Sequence, residues 1–362
     1  MRPAPTAGST NLLALDAASA ERFALGLGWP RYRTTQILRW LYQQRGRDLD
    51  QMTNLSKAER ADLAAVAHVG RSQDSRILRS EDGTRKFLIR LDDGLAVESV
   101  LIPEGRRLTL CLSTQVGCTL DCDFCLTGKM GLKRNLKAHE IVDQVLTVLD
   151  RLDRDEHLTS LVLMGMGEPL ANLDAVSDAI ARLTNEDWGL GIPGRRITLS
   201  TAGLASRLPD VAALGVNLAI SLNAATNAQR DRLMPAVNRL HPLDALLAAC
   251  RAYPLPPRRR LTFEYVLLAG VNDADQDAKR LAKLLRGLRC KVNLIPFNEF
   301  PGSPYRRPDD ATVLRFQAHL KQAGVDTFVR KSKGRDVLGA CGQLGGERGQ
   351  APVVLTPVGV GC

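Results

Sequence analysis

The amino-acid sequence predicts an α/β protein with a small helical module, a β-hairpin after it, and a larger parallel sheet. Three observations lead to this fold class. Apolar residues first recur at helical spacing, two β-rich runs then flank an Asp-Gly turn, and strands alternate with amphipathic helices after Arg107. Repeated strand–helix units build a parallel sheet, which is either barrel-like or doubly wound.

The N-terminal part divides into a loose end and a helical module. Residues 1–18 are rich in Ala, Pro, Thr and Ser and predict a flexible terminus. Residues 19–75 predict helices, with Asn54 or Ser56 as a cap. Apolar side chains recur there at helical spacing, at Ile37, Leu38, Leu41 and Tyr42. Arginines are interspersed at Arg31, Arg33, Arg39, Arg45 and Arg47. A solvated helix face explains any single one of these arginines.

Residues 76–107 predict a linking β-hairpin, because RKFLIRL and LAVESVLI flank Asp93-Gly94. Glu98 is in phase with Val100 and Ile102 of the second strand. A carboxylate in that phase lies either at an edge or toward a site.

Residues 108–343 predict the strand–helix core, and 344–362 a Gly-rich irregular tail. The candidate strands are LTLCLS, LTSLVLMG, RRITLST, VNLAISL, LTFEYVLL, CKVNLIPF and DTFVR. The candidate helices are AHEIVDQVLTVLDRL, LDAVSDAIARLT, PLDALLAACRAY, DAKRLAKLLRGL and TVLRFQAHLKQAG. In barrels the chemistry lies at the carboxyl ends of the strands, where Ser200, Ser221 and Asn298 occur.

Composition narrows the class of protein. The 362 residues carry 49 Lys+Arg against 39 Asp+Glu, and a hydrophobic content of 44% excludes a disordered or collagen-like chain. No apolar run is long enough to span a bilayer, and no secretory signal is present, so a cytoplasmic protein with no membrane contact is expected. The net charge of +10 suggests a nucleic acid partner, although solubility alone also accounts for it.

Three of the eight cysteines are crowded in CTLDCDFC, as Cys118, Cys122 and Cys125. Crowded thiols in a reducing compartment indicate metal or redox chemistry rather than a disulfide framework. A structural zinc site needs four ligands, and no His occurs near this loop before His139. Three thiolates can instead hold a four-iron cluster with one iron open to a further ligand.

The CxxxCxxC spacing, with Phe124 before the last cysteine, resembles the signature of the radical SAM superfamily. The resemblance implies a partial (β/α)6 radical SAM barrel and a [4Fe-4S] cluster. The open iron of that cluster binds S-adenosylmethionine, which is cleaved to a 5′-deoxyadenosyl radical. MGMGEPL resembles the glycine- and glutamate-containing motif that contacts this cofactor. The implied cofactor-binding residues are Gly167, Glu168, Ser200, Ser221, Leu222, Asn223 and Asn298.

A wider resemblance runs from Arg31 to Gly346, to the RlmN/Cfr family of RNA adenine methyltransferases. Its segments include RTTQILRWLYQ, MTNLSK, DGTRKFL, VESVLIPE, CLSTQVGC, LSTAG, LMPAVNR, FEYVLLAGVND, NLIPFNEF and RDVLGACGQL. The implied activity is methylation of adenine C2 in the peptidyl-transferase region of 23S rRNA, at adenine 2503 in family terms, and of adenosine 37 in tRNAs.

The resemblance also implies a two-thiol mechanism that consumes two S-adenosylmethionine molecules per turnover. Cys341 carries the methyl group as S-methylcysteine, and the derived radical forms a covalent adduct with the RNA. Cys111 resolves that adduct by forming a transient disulfide, and Glu98 is the proton acceptor. A flavodoxin-type reductase would supply electrons, and the chain is expected to be a monomer.

One departure from the family pattern and several alternatives remain. Where the family commonly shows SLHA, this chain has Ser221-Leu222-Asn223-Ala224, and Asn does not titrate as His does. Cys250 and Cys290 are interpreted as packing residues, and Cys362 matches no motif. The alternatives are methylation at adenine C8, a radical SAM enzyme acting on a small molecule or peptide, and a zinc-dependent RNA-binding module. The basic clusters at 258–260, 306–307 and 330–335 could contact phosphates or be solvated loops.

Overall fold

The computed structural model of the chain describes residues 8–72 and 75–345. Its strands are β1 (Thr10–Asn11), β2 (Ala67–His68), β3 (Ser75–Arg79), β4 (Arg85–Arg90), β5 (Ala96–Glu104), β6 (Arg107–Cys111), β7 (Gln115–Val116), β8 (Arg134–Asn135), β9 (Ser160–Leu163), β10 (Ile197–Thr201), β11 (Asn217–Ser221), β12 (Leu261–Leu267), β13 (Cys290–Pro296) and β14 (Thr327–Val329). Within those residues no helix is both long and apolar enough to cross a lipid bilayer.

The helices are α1 (Ala17–Gly26), α2 (Tyr32–Tyr42), α3 (Lys57–Val66), α4 (Leu126–Met130), α5 (Ala138–Leu149), α6 (Leu173–Thr184), α7 (Leu208–Ala212), α8 (Asn227–Leu233), α9 (Pro235–Leu240), α10 (Leu243–Ala252), α11 (Asp275–Leu284) and α12 (Asp310–Gln322). Short 3-10 turns lie at Leu12–Ala14, Leu49–Gln51, Pro169–Asn172, Gly194–Arg196, Ala205–Arg207 and Arg335–Val337.

The main sheet has ten strands in the order β14-β13-β12-β11-β10-β9-β6-β5-β4-β3. Within this sheet, the strands β6, β9, β10, β11, β12, β13 and β14 pair in parallel. The strands β3, β4, β5 and β6 pair antiparallel. All seven strands predicted from the strand–helix alternation are present, so the α/β fold class is confirmed. The sheet is open, because β3 and β14 form its two edges.

The predicted hairpin is confirmed and is continuous with the parallel sheet. β4 and β5 pair around the Asp93-Gly94 turn, where Gly94 has a φ of 82° that favours glycine. Strand β3, which pairs with β4 on one side of the hairpin, was not predicted from the sequence. On the other side β5 pairs with β6, so residues 76–107 extend the sheet rather than merely linking two parts.

Strand register gives the sheet one strongly apolar face. Side chains on adjacent strands that are in register point to the same side, and alternate residues along a strand point to opposite sides. One side carries the buried row of Leu110, Leu161, Ile197, Leu199, Leu218, Ile220, Phe263 and Val292. Burial of this row supplies much of the hydrophobic stabilisation of the sheet.

The described chain forms two compact units. One contains the residues up to Ser72 with Leu136–His157 and Leu173–Gly194, and the other contains the remaining described residues, including the ten-stranded sheet. Helices α5 and α6 contact each other and are counted with the N-terminal helices. Sequence periodicity did not indicate this grouping, because it shows which face of a helix is apolar but not which element covers it.

The first unit orders part of the N-terminal segment that was expected to be loose. Thr10 and Asn11 pair with Ala67 and His68, and Leu12 and Leu13 are buried. The buried guanidinium of Arg182 donates to the carbonyl oxygen of Leu13 and to the hydroxyl of Tyr42. These contacts hold residues 10–14 in the first unit, and residues 1–7 lie outside the described part.

A buried ion-pair network joins the end of the helical module to α5. The fully buried guanidinium of Arg71 binds the carboxylates of Asp143 and Asp150, the latter at 2.9 Å. The Ser72 N–H also donates to Asp143. Burial raises the pKa of Asp143 despite the adjacent Arg71, so this carboxylate depends on its partner to stay ionised.

Replacing Arg71 by Leu is therefore expected to lower the free energy of unfolding by about 3–5 kcal/mol, because it leaves a buried carboxylate unpaired. Urea denaturation measures the change. The control is Arg207→Leu, which removes an exposed i,i+3 pair with Asp210 and should cost less than about 1 kcal/mol. Equal small losses in both variants would contradict the importance of the network.

Candidate active site

The face of the sheet opposite the apolar row carries several of the candidate site residues. Register places Lys86, Val100 and Cys111 in one transverse row, with Glu98 on the same face two residues from Val100. The same face continues through Ser200, Ser221, Glu264 and Asn293 on the parallel strands. The sheet thus brings together groups that are far apart in the sequence.

The three clustered cysteines lie on the loop that follows β6 and β7. Cys125 directly precedes α4, and its N–H donates to the carbonyl oxygen of Cys122 at 3.1 Å. Two glycines permit this compact loop. A Cβ at Gly117 would collide with the carbonyl oxygen of Gly131, and one at Gly128 would lie 2.9 Å from that of Cys122.

An apolar cluster packs against the cysteine loop. Phe124 is buried against Met234, Phe297 and Tyr305, and Cys122 and Cys125 pack on the same cluster. The Tyr305 hydroxyl donates to Asp123 at 2.6 Å. The two residues between the last two cysteines, Asp123 and Phe124, therefore anchor the loop, which leaves the thiols as its reactive groups.

The thiols influence one another electrostatically. Burial, with smaller contributions from Cys125 and Glu168, raises the pKa of Cys118 to about 12. The same causes, together with the Cys118 thiol, raise the pKa of Cys122 well above its usual range. Burial also raises the pKa of Cys125. In the described residues no three His, Cys, Asp or Glu side chains are close enough to hold a single metal ion. A four-iron cluster binds each thiolate at a different iron, so three mutually influencing thiols on one loop suit it as a donor set.

The segment Gly165–Glu168 packs closely on the chain that follows β6. A Cβ at Gly167, which has a φ of 102°, would lie 2.6 Å from the Cβ of Gln115. The Glu168 carboxylate accepts N–H groups of Leu170 at 3.0 Å and Ala202 at 2.7 Å. Burial raises its pKa, whereas these hydrogen bonds lower it. A fixed, buried carboxylate with remaining lone pairs fits a cationic ligand.

Residues at the ends of β10 and β11 have different surroundings. Ser200 is buried and Ser221 half-buried on the polar face. Leu222 is buried, and its N–H donates to the carbonyl oxygen of Glu264. Asn223 has a φ of 58°, a conformation that Asn tolerates well. Its Oδ1 accepts the Val266 N–H and its Nδ2 contacts the Met234 sulfur, so its side chain joins protein elements.

Asn298 offers a clearer sign of a ligand. Its Nδ2 donates to the carbonyl oxygen of Cys341 at 3.1 Å, while its buried Oδ1 has no hydrogen-bond partner among the described residues. Buried acceptors are nearly always satisfied in native proteins. Asn298 directly follows Phe297, which belongs to the apolar cluster that packs against the cysteine loop. Its unsatisfied oxygen therefore fits a polar cofactor bound beside the three cysteines.

Residues 334–345, here named the thiol segment, carry Cys341. The Leu126 N–H of α4 donates to the carbonyl oxygen of Gly342 at 2.8 Å, and the Thr127 hydroxyl donates to that of Leu344 at 2.6 Å. The Gly345 N–H donates to Glu98 at 3.0 Å. Helix α4 therefore connects the cysteine loop directly to the segment that carries the distant thiol.

The turn between β3 and β4 holds the other end of the thiol segment. The Gly334 N–H donates to Asp82 at 2.9 Å, and the Ser80 hydroxyl donates to Asp336 at 2.6 Å. Burial opposes ionisation of Asp82, but hydrogen bonds from Thr84 and Gly334 outweigh it and lower its pKa to about 2. The DGTRKFL motif thus positions the thiol segment.

Cys111 and Cys341 lie close enough for the charge of one to affect the other. Burial raises the pKa of Cys111, and the charge of Cys341 raises it to a smaller extent. The Cys341 residue is exposed, but protein atoms around its sulfur still raise the pKa of the thiol to about 11, with Glu264 raising it and Arg330 lowering it. Both thiols are free rather than joined in a disulfide. Two thiols 230 positions apart in the sequence therefore share one site.

Glu98 is buried and already engaged. Its Oε1 lies 3.2 Å from the Lys86 ammonium, both side chains being almost fully buried, and its Oε2 accepts the Gly345 N–H. The Ser113 hydroxyl donates to its main-chain oxygen. Of the two positions predicted for this carboxylate, the edge is excluded, because β5 is paired on both sides and the Glu98 side chain is buried on the polar face of the sheet.

Sequence reasoning missed Glu264. This buried carboxylate accepts the Asn293 side-chain N–H at 2.9 Å and pairs in register with Ser221. Burial raises its pKa. The available signal was a glutamate inside the apolar run LTFEYVLL, which placed a charge in a strand that is otherwise buried.

Two of the remaining cysteines and several arginines of the basic clusters have contacts within the protein. Cys250 is buried in α10 and Cys290 begins β13, which agrees with packing roles, and Cys362 lies outside the described residues. Arg259 donates to main-chain oxygens of Gly215 and Val216. Arg260 pairs with Asp326, and Arg306 pairs with Glu299.

Comparison with known proteins places these features in a family. Residues 10–69 match the family model "Ribosomal RNA large subunit methyltransferase N-terminal domain", and residues 112–282 match "Radical SAM superfamily". A protein from Desulfosudis oleivorans named dual-specificity RNA methyltransferase RlmN is 52% identical over 86% of this chain and 84% of its own length. A protein of the same name from Geobacter sulfurreducens is 51% identical over 90% and 89%.

A solved structure shows the same fold. The crystal structure of a radical SAM methyltransferase from Sphaerobacter thermophilus superposes with a TM-score of 0.89 at 44% identity. The match covers 93% of this chain and 100% of that one.

Gly128→Ala is expected to reduce iron loading, because the new Cβ would press on the Cys122 backbone and open the cysteine loop. Iron per chain is measured after anaerobic purification, with circular dichroism to verify folding. The matched control is Gly26→Ala at the end of α1, where a Cβ meets nothing within 4 Å. Normal iron content in a folded Gly128→Ala variant would argue against a cluster on this loop.

Proposed function

The chain belongs to the RlmN family of radical SAM RNA methyltransferases, and we propose that it methylates C2 of adenine 2503 in 23S rRNA and C2 of adenosine 37 in tRNAs. The observation that carries this proposal is that the thiol segment with Cys341 lies against Val100, the register partner of Cys111, and is hydrogen-bonded to α4 beside the cysteine loop. A radical enzyme without a protein-bound methyl carrier has no need for two such thiols.

Cys118, Cys122 and Cys125 would hold the [4Fe-4S] cluster. Glu168, through its fixed carboxylate, and Asn298, through its orphaned oxygen, would bind S-adenosylmethionine together with Gly167, Ser200, Ser221 and Leu222. When bound, these groups supply a methyl group and, from a second S-adenosylmethionine, an organic radical that removes a hydrogen atom. Asn223 is the weakest member of this set, since both side-chain amide atoms contact the protein.

Cys341 would carry the methyl group, because C2 of adenine is not nucleophilic enough to take it directly. Its sulfur must be a thiolate to accept a methyl group, and nearby Arg330 favours that form. Hydrogen bonds from Asn298, Leu126 and Thr127 hold the backbone around Cys341, so the methylated sulfur stays in place during bond formation.

Glu98 and Cys111 would complete the reaction. Glu98 would accept the proton lost from C2, and the contact with Lys86 would hold its carboxylate in position. After the adduct has given up one electron to the oxidised cluster, the Cys111 thiolate would attack the sulfur of Cys341. An S–S bond would form as the S–CH2 bond to the product breaks, and the electron pair left on the methylene carbon would take a proton, which completes the methyl group. Cytosolic thiols would reduce this disulfide. The proposal also includes a cytoplasmic monomer and a flavodoxin-type electron donor.

Mass spectrometry of nucleosides from RNA treated with the enzyme is expected to show 2-methyladenosine in both 23S rRNA fragments and tRNA. The reason is the family membership of the whole chain, including the N-terminal module. RNA incubated without S-adenosylmethionine is the control. Finding 8-methyladenosine alone would replace the C2 assignment by the C8 alternative.

The two thiol variants are expected to fail at different stages. Cys341→Ala should abolish methylation while retaining iron and forming 5′-deoxyadenosine, because it removes only the methyl carrier. Cys111→Ala should accumulate a covalent protein–RNA adduct, seen on denaturing gels. Cys250→Ala is the matched control, since that buried thiol lies in α10. Normal turnover by either of the first two variants would refute the two-thiol mechanism.

A further inference from the structure

The first unit contains a depression of about 540 Å³ that the proposed chemistry does not use. The residues around it include Trp40, Gln44, Arg45, Arg47, Asp150 and Arg151, and it is here named the Trp40 pocket. All of them belong to the first unit, between the end of α2 and the end of α5. Its size is in the range of pockets that bind small organic molecules, about 300–1,000 Å³.

Asp150 organises the positive side of the Trp40 pocket. Its carboxylate lies 3.2 Å from Nε of Arg45, 2.9 Å from Nη2 of Arg47 and 2.9 Å from Nη2 of the buried Arg71. Three guanidinium groups share this carboxylate, and Arg151 adds a fourth at the rim. Of the charged residues that line the pocket, three are arginines and one, Asp150, is acidic, so the pocket attracts anions.

Arg45 is the arginine best placed to bind a ligand. It contacts Asp150 through Nε, and its side chain is 42% exposed, so its Nη groups are accessible. Its backbone has a φ of 53°, which is uncommon for a residue other than Gly or Asn. The contact with Asp150 restricts the side chain before any ligand arrives, which lowers the entropic cost of binding.

Trp40 provides an aromatic surface in the same pocket. Its indole is half-buried, and a Cβ on Gly46 would lie 3.2 Å from Cε3, so the loop backbone packs against the ring. The Gly46 N–H also donates to the Trp40 carbonyl oxygen at 2.8 Å. The ring is therefore held in place while it lines the pocket.

We propose that the Trp40 pocket binds one unpaired nucleotide of RNA, with its base stacked on the indole and its phosphate held by Arg45 and Arg151. This inference rests on the proposed function, in which the substrate is RNA, and assigns a contact remote in sequence from the catalytic thiols. An inorganic phosphate would use only the arginines, and an acidic peptide side chain has no flat ring for the indole. A nucleotide uses both, and the exposed Gln44 amide can hydrogen-bond a base edge.

The first test measures the affinity of the full-length protein for a fluorescently labelled tRNA transcript and a 12-nucleotide oligouridine by anisotropy. Trp40→Leu is expected to weaken binding to at least one RNA about tenfold, and Trp40→Phe to restore most of it, because Phe retains a stacking surface. Circular dichroism verifies that both variants are folded. Equal weakening by Trp40→Phe and Trp40→Leu, or no weakening by either, would overturn the stacking assignment.

The second test measures the dependence of the binding constant on salt. Arg45→Gln should reduce the slope of log K against log[salt] by about 0.7, the value for one phosphate contact on a single strand. Arg207→Gln, which changes an exposed arginine paired with Asp210 in the second unit, is the matched control and should leave the slope unchanged. An unchanged slope in Arg45→Gln would overturn the phosphate assignment.

The outcomes separate this inference from the proposed function. If the wild-type protein methylates RNA and the Trp40 and Arg45 variants bind RNA normally, the pocket assignment fails while the function stands. If those variants weaken binding but the wild-type protein yields no methylated adenosine, the function fails while the RNA contact stands. Polyglutamate serves as an acidic-protein probe in the same anisotropy assay. If the Trp40 and Arg45 variants lose binding to polyglutamate but bind RNA normally, the pocket recognises an acidic protein and the proposal is contradicted.

Discussion

The alternation of side chains across one ten-stranded sheet is the constraint on which the candidate active site depends. Because every second residue points to the same side, the apolar row from Leu110 to Val292 can be buried only if the intervening residues share the opposite face. A slip of one residue in any strand would move Cys111, Ser221 or Glu264 to the apolar side. The free energy that fixes the core register therefore also fixes the chemistry.

The thiol segment is a part of the site that does not belong to a long strand. It is held by the β3–β4 turn, by α4 and by the end of β13, through hydrogen bonds to Asp82, Leu126 and Asn298. Its path is demanding, since Leu338 has a φ of 50°. A residue other than glycine adopts that conformation only where surrounding contacts impose it. Such anchoring suits a sulfur that must carry a methyl group to a fixed position.

Electrostatics links the separate elements of the site. Burial raises the pKa values of Cys118, Cys122, Glu168 and Glu264, which means that their charged forms lack solvent compensation. Iron ions and the sulfonium and ammonium groups of S-adenosylmethionine are positive and would stabilise these groups as anions. In the first unit the balance is reversed, because arginines outnumber carboxylates around the Trp40 pocket. The protein thus combines a site suited to cations with a surface suited to a polyanion.

Local features of this protein can be predicted from its amino-acid sequence. Period-two and helical patterns predicted the seven parallel-sheet strands and the Asp93-Gly94 hairpin, and the CxxxCxxC spacing with the MGMGEPL motif identified the site loops. These features depend on neighbours in the chain, so local patterns record them. Family resemblance, rather than spacing, indicated Cys341 and Cys111.

The contacts between groups that are distant in the sequence are visible only in the tertiary structure. It joined Glu98 to Lys86, left the Asn298 oxygen without a protein partner, and brought Glu264 toward Cys341. It also grouped α5 and α6 with the N-terminal helices and assembled Asp150 with Arg45, Arg47 and Arg71. These arrangements arise from strand register and packing between segments far apart in the chain, and the periodicity of a single segment contains no information about its partners.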